Sequence, residues 1–279
     1  MRTGYKRRQR MVKWLLSAGV AVFIFVDLIP IFFTVITSFK SRDEYVYNVF
    51  SIPERWSLEN YANLFEAYDV PQMFLSSLTV TVIPIFFIVY FGTMAAFAIG
   101  KFEFKGRRIF ANMIFPLMSI PSVVMLFPLF RLFSKLNMTN KFGSVIVIYI
   151  GLILPFILNM LTSFMSSISS SYLEAAMIDG CGFWQMFHRI ILPLLAPALS
   201  ATTIVGAMWL WNEMLIAFIF LQDEAKRTLV VGLTSMQGLF QLDVPLLMAG
   251  ATITTVPVIL IFVFGQKWFI RGLTAGGVK

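Results

Sequence analysis

Residues 74–99 read FLSSLTVTVIPIFFIVYFGTMAAFAI, from Phe74 to Ile99, without one Asp, Glu, Lys, Arg or His. An α-helix needs about 20 predominantly apolar residues to cross the ~30 Å hydrocarbon core of a bilayer, and this stretch supplies them. Further stretches of the same character lie at about 14–36, 109–130, 143–164, 200–221 and 244–266. The whole composition agrees with them: of 279 residues 58% are apolar and 13% charged, and the mean hydropathy is +0.82. A water-soluble surface needs roughly 25% charged residues, so lipid must be the solvent for much of this exterior. The expected architecture is all-α, a polytopic membrane protein with six transmembrane helices. Its parts are a basic tail over 1–13, a transmembrane domain over 14–266, and a C-terminal tail over 267–279. The tail contains Arg2, Lys6, Arg7, Arg8, Arg10 and Lys13 ahead of a long apolar run that lacks a clear cleavage site, which fits an uncleaved anchor better than a signal peptide.

Charge chooses the orientation. With the N-terminus inside, the inner segments carry a net +11 and the outer segments −1, the balance of the overall +8 being Asp27 and Glu213 within spans. The dense cluster Lys101, Lys105, Arg107 and Arg108 falls on the inner side. The positive-inside rule therefore places both termini in the cytoplasm. The surplus is an orientation signal, and no basic, aromatic-interleaved domain points to nucleic acid.

Several chemistries are disfavoured. The single cysteine, Cys181, cannot form an internal disulfide or a multi-cysteine metal site, and no metal ligand set is expected. The single histidine, His188, lies in a Phe-His-Arg stretch away from any nucleophile motif, so it reads as a surface or packing residue and no catalytic residue is assigned. No phosphate-binding G-x-x-x-x-G-K-[ST] run occurs; Gly100-Lys101 is followed by Phe102. Any ATP that drives this protein, with its Mg, is expected on another chain.

Helix packing also leaves marks. Gly92, Ala96 and Gly100 form a small-x-x-x-small row that would let a neighbouring helix approach closely. Prolines 30, 84, 116, 121, 128, 155 and 257 lie in or near spans and invite kinks. In the outer segment 40–73, Trp56, Tyr61 and Phe65 have roughly helical spacing and predict a small cap.

The connection 165–199 is the longest inner segment, yet Arg189 is its sole Lys or Arg. Ser171-Tyr172-Leu173-Glu174 fits a capping box, predicting a helix over about 172–179 that Gly180 stops. Phe183, Trp184, Met186, Phe187, Ile190 and Ile191 then form an apolar stripe, predicting a second short helix that ends near Pro193. Two short apolar helices outside the membrane call for a partner surface. An interfacial helix in the headgroups is the alternative, but such helices are rich in Lys and Arg.

The run Glu174-Ala175-Ala176-Met177-Ile178-Asp179-Gly180, nine further residues, and then Ile190-Ile191-Leu192-Pro193 resembles the E-A-A-x-x-x-G-x9-I-x-L-P signature of ABC importer permeases of bacteria and archaea. The chain's end, from Gln266 to Lys279, together with Trp56 to Tyr61, Trp211-Asn212-Glu213-Met214 and Leu229 to Leu233, is similar to the maltose-type carbohydrate branch, with Cys181 standing where alanine is usual and Ser76 where asparagine is. The resemblance implies a permease of the cytoplasmic (inner) membrane that pairs with a sister permease, a homodimeric ABC ATPase and an extracytoplasmic solute-binding protein to import a carbohydrate. It assigns ATPase coupling to Glu174, Ala175, Ala176, Asp179, Gly180 and Pro193. It gives a flexible ATPase contact to Gly272, Leu273, Thr274, Ala275, Gly276 and Gly277.

Asp27 and Glu213 fall near the middle of expected spans, where an unpaired charge costs about 2.5–3.5 kcal/mol on insertion scales. Thr202, Gly206, Trp209 and Glu213 recur at helical spacing and would share one face, with Asn212 alongside. Trp209, Asn212, Glu213 and Asp27 are thus candidates either for the translocation pathway or for polar contacts between helices. An ion-coupled secondary carrier using Asp27 and Glu213 is the competing function; a membrane hydrolase is a third.

Overall fold

A computed structural model of the chain describes residues 2–236 and 243–277, with side chains from Met11 to Lys267 apart from Ser235 and residues 237–242. Every regular element among the described residues is helical: α1 (Arg2–Thr37), α2 (Arg42–Tyr47), α3 (Glu59–Ala67), α4 (Val70–Lys101), α5 (Arg107–Met118), α6 (Ser122–Lys135), α7 (Phe142–Ser167), α8 (Ser171–Ile178), α9 (Phe183–Met186), a π-helical turn (Phe187–Ile191), α10 (Leu192–Leu194), α11 (Ala196–Trp211), α12 (Leu215–Phe220), α13 (Leu229–Ser235) and α14 (Val244–Gly277), with a short 3₁₀ turn at Glu224–Lys226. The chain divides into two units, 1–68 with 235–253, and 69–234 with 254–279.

The larger unit is built on α4 and α7, which pack along each other, with α11 against both and α5 against α7. Small residues allow this approach. Ala96 is wholly buried, a side chain at Gly92 would reach Leu154 at 3.4 Å, and one at Gly100 would meet Met165 Cγ at 2.7 Å. The row Gly92, Ala96 and Gly100 is therefore the face that α4 turns to α7. Gly206 does the same for α11, with Ile85 and Ile157 within 3.0 Å of where its Cβ would stand.

Hydrogen bonds mark the two ends of this bundle. At one end Lys101 Nζ donates to the Ile168 carbonyl, tying the C-terminus of α4 to that of α7. At the other, the Asn140 N–H bonds the Phe220 carbonyl at 2.9 Å, Lys226 Nζ bonds the Asn140 carbonyl, and Gln72 Nε2 bonds Ala225. Helices α4 and α7 therefore run in the same direction, and the chain between them must return across the bundle. That return is the pair α5 and α6, two arms bent by 102°. The span expected over 109–130 forms as a broken one, kinked at one of the prolines expected to bend it. Pro121 has no N–H to continue the helix and biases Ile120 away from helical backbone, so the chain stops at Ser119 and restarts at Ser122. With this pair counted as one span, six helical segments are long and apolar enough to cross.

The fifth span also departs from expectation. Helical backbone begins at Phe183, so the second short helix expected to stop near Pro193 instead continues into the span, interrupted at Leu195 by a single turn residue. Proline is accommodated because the turn ahead of it widens to π geometry, the Leu192 N–H reaching back to Phe187. At its other end the helix stops at Trp211, short of the expected 221, and restarts as α12.

In the smaller unit α1 presents an exposed apolar surface from Met11 to Phe32, Asp27 included. The segment after it folds around Lys40, which is wholly buried. Its ammonium donates to the carbonyls of Asn48 (3.1 Å) and Val49 (3.0 Å) and to Ser51 Oγ (3.2 Å). Asn60 Nδ2 bonds the carbonyls of Ser38 and Lys40, and Phe39 packs against Trp56 and Tyr61. A cap does form here, but Trp56 precedes α3 and only Tyr61 and Phe65 are on that helix.

Candidate functional site

The connecting segment after α7 carries the first group of candidate residues. Helix α8 spans Ser171–Ile178, close to the expected 172–179, and Gly180 stops it at φ +77°. The Gly180 and Cys181 N–H groups close back on Met177 and Ala176, a left-handed stop that glycine makes without a Cβ penalty. The expected capping box does not form. Ser170 occupies the N-cap, its carbonyl accepting the Leu173 and Glu174 N–H groups, while Ser171 N–H turns to Ser169 Oγ. The Glu174 carboxylate is therefore not used in capping and is exposed.

One face of α8 belongs to the fold and the other to the outside. Leu173 and Ala176 are buried, whereas Glu174, Ala175 and Asp179 are exposed. So are Tyr172 (54%), Met177 (56%), Ile178 (86%) and, beyond the turn, Trp184 (57%). Ala176 is thus small because it packs inward, and Ala175 is the alanine on the open face. Pro193 is exposed on the following helix.

Behind this surface lies an aromatic cluster. Phe183 and Phe187 pack on Phe97 of α4, with Phe102 against Phe183 and Tyr90 against Phe187. His188 Nδ1 faces the Trp184 carbonyl at 2.9 Å, which can only accept, so Nδ1 carries a proton, and Nε2 shares a hydrogen bond with Tyr90 Oη at 3.1 Å. His188 is a packing residue joining the start of the fifth span to α4. Movement imposed on α8 and α9 would therefore be carried into α4 by direct contact.

The second group sits at the break between α11 and α12. Asn212 ends α11 by returning both its backbone N–H (3.3 Å) and its Nδ2 (2.8 Å) to the Met208 carbonyl. Glu213 then accepts the Ile216 N–H at 2.9 Å on Oε1 and the Ala217 N–H at 3.3 Å on Oε2, and Tyr149 Oη donates to Oε2 at 2.6 Å. The carboxylate serves the first amides of α12, which the break deprives of helical acceptors. The expected single face does not survive this break. Thr202 and Gly206 are buried, Thr202 Oγ1 bonding within its own helix to Ala198, while Trp209 is 46% exposed and Glu213 lies beyond the helix end. A groove of about 730 Å³ adjoins the break, lined by Met208, Trp209, Asn212, Glu213, Met214 and Phe262 among others. Trp209 is also in the wall of a cavity of about 260 Å³ with Met118, Phe156 and Gly206.

Tyr149 and Lys40 were not singled out by sequence: a tyrosine in an apolar run and a lysine in a charged segment carry no local mark of their partners. Asp27 makes no hydrogen bond or ion pair among the described residues. Gly272, Leu273, Thr274, Ala275, Gly276 and Gly277 lie on α14, which is helical to Gly277, where a flexible segment is expected from the glycines; their side chains lie outside the described residues.

Residues 88–275 match the family model described as the binding-protein-dependent transport system inner membrane component. The chain belongs to this permease family. The match takes in the broken span α5–α6, α8 and the break at Asn212. The permease is 33% identical over 272 residues to YurM of Bacillus subtilis (strain 168), a probable ABC transporter permease protein, covering 96% of this chain and 90% of that one. It is 29% identical to the arabinooligosaccharides transport system permease protein AraQ of Halalkalibacterium halodurans, covering 98% of this chain and 99% of AraQ. It is also 29% identical to the melibiose/raffinose/stachyose import permease protein MelC of Bacillus subtilis (strain 168), over the full length of both. Among solved structures it shares its fold with a bacterial ABC transporter involved in import of the acidic polysaccharide alginate, at a TM-score of 0.82 and 22% identity over 94% of this chain and 98% of that one.

Proposed function

We propose that this permease is one half of the membrane pathway of a carbohydrate importer, and that α8 is the surface on which an ATPase subunit docks. The observation that carries the docking reading is the two-faced α8: its inner residues Leu173 and Ala176 are in the core, while Glu174, Ala175, Met177, Ile178 and Asp179 are exposed. Exposed apolar side chains in this number mark a surface that a partner covers. The Glu174 carboxylate, free of capping duty, would pair with a basic group of that partner; Gly180 sets the turn that presents it. Gly272 to Gly277 would add a second contact near the chain's end.

ATP and Mg would be bound by a homodimeric ATPase, and a sister permease would supply the other half of the pathway. A solute-binding protein would deliver the sugar from outside the bacterial inner membrane. Closure of the ATPase dimer would press the docked α8 segments together and, through Phe183, Phe187 and His188 against α4, tilt the bundle between two states. The tie between Lys101 and Ile168 puts the basic segment 101–108 at the same end of the bundle as α8, which supports placing α8 and both termini in the cytoplasm. Relatives are named as permeases for arabinooligosaccharides and for melibiose, raffinose and stachyose, and this supports carbohydrate as cargo. An ion-coupled carrier is not supported, since Glu213 is committed to Tyr149 and the start of α12.

The test is Glu174→Arg in the assembled transporter. We expect normal membrane insertion with ATP-driven uptake lost; full uptake together with normal ATPase binding would overturn the docking role.

A further inference from the structure

The helix break at 212–214 lies within the length of the neighbouring span α7. Glu213, at the break, bonds Tyr149, which lies about 10 Å inside the start of α7 at Phe142, at 1.5 Å per residue. The span is completed by α12, whose last carbonyl, that of Phe220, bonds Asn140 at the opposite end of the bundle. Irregular backbone at such depth persists where it is enclosed by protein or lines a polar cavity, and transporters place cargo sites at such interruptions.

Two features mark this break as a contact site. Trp209 and Trp211 differ: Trp211 is buried with its indole N–H on the Thr254 carbonyl, whereas Trp209 is 46% exposed at the junction of the two cavities and its N–H has no acceptor among the described residues. Asn212 is exposed, its Nδ2 held by Met208 while Oδ1 has no donor among the described residues. An indole face with one free donor and one free acceptor suits a sugar ring, whose C–H face stacks and whose hydroxyls both give and take hydrogen bonds. Charge narrows the class. Among the described residues the only ionisable side chain on either cavity wall is Glu213, already bonded to Tyr149, Ile216 and Ala217, and no described Lys or Arg is present there to meet a carboxylate.

We propose that Trp209 and Asn212 form a subsite for a neutral glycosyl unit on this subunit, with Glu213 as a positioning residue that holds the break open rather than touching cargo. The inference rests on the carbohydrate reading above. It is tested in proteoliposomes holding the complete transporter, with labelled raffinose, arabinotriose and diacetylchitobiose as neutral probes and an alginate pentasaccharide as the acidic one. Trp209→Ala should lower uptake of the accepted neutral probe at least about fivefold, while ATPase stimulation by the binding protein and thermal stability stay at wild-type values; Trp209→Phe should restore part of the uptake, since it keeps a ring face to stack but loses the indole donor. Wild-type uptake by Trp209→Ala, failure of Trp209→Phe to rescue, or preference for the alginate probe would each overturn the subsite while leaving carbohydrate import standing. If the wild-type complex takes up none of the four sugars, the carbohydrate reading falls and the subsite with it.

Discussion

Tyr149 Oη donates a 2.6 Å hydrogen bond to Glu213 Oε2, joining α7 to the restart of the fifth span. The same carboxylate accepts the Ile216 and Ala217 amides, so one side chain closes both the helix break and the interhelical contact. Glu213→Ala removes all of these bonds and leaves the Tyr149 hydroxyl buried without a partner. The expected loss is about 2–4 kcal/mol, against about 1–2 kcal/mol for Tyr149→Phe. Thermal unfolding of the detergent-solubilised complex would rank the two, and a larger shift for Tyr149→Phe would contradict the capping role.

Lys40 gives a second prediction, in the smaller unit. A buried ammonium is tolerated because three oxygens receive it, and Lys40→Ala would leave a void and take its donor from the Val49 carbonyl, while Ser51 Oγ keeps its bond to the Asn48 carbonyl. Hydrogen bonds to a charged group contribute roughly 1.5–3 kcal/mol, so the segment 41–58 should open. Limited proteolysis would show new cleavage between Arg42 and Arg55.

On the outer face of α8, where we propose that an ATPase docks, Ile178 is 86% exposed. Ile178→Asp should leave the permease's own stability within about 0.5 kcal/mol, as for other surface substitutions. Its effect should be on association: the ATPase should co-purify at a several-fold lower yield. Ala176→Leu is the contrasting change, because Ala176 is buried against the bundle, and it should reduce folded protein rather than ATPase binding alone.

Close helix approach is testable at Gly206. Its added Cβ would meet only the side-chain tips of Ile85 and Ile157, which can move, so Gly206→Ala should cost about 1 kcal/mol. Gly206→Leu cannot be absorbed in the same way and should cost about 3 kcal/mol or more through overpacking. Detergent thermal-shift measurements on both variants would check the gradation.

The sequence by itself determined the class of fold and the position of α8. Apolar length was enough for the spans because hydrocarbon forces every backbone group into internal hydrogen bonds, and Gly180 marked the end of α8 because a left-handed stop favours glycine. Where the chain broke its periodicity, local pattern was insufficient. Residues 109–130 and 200–221 are each apolar enough to read as one span; Pro121 marks a kink in the first but not its 102° angle, and Glu213 interrupts the second. The break at Glu213 depends on Tyr149, 64 positions away, and the burial of Lys40 depends on carbonyls that gather only once the chain turns back on itself. Whether a polar side chain faces cargo, caps a helix or holds a loop is decided by which partners surround it, and those partners are set by tertiary structure.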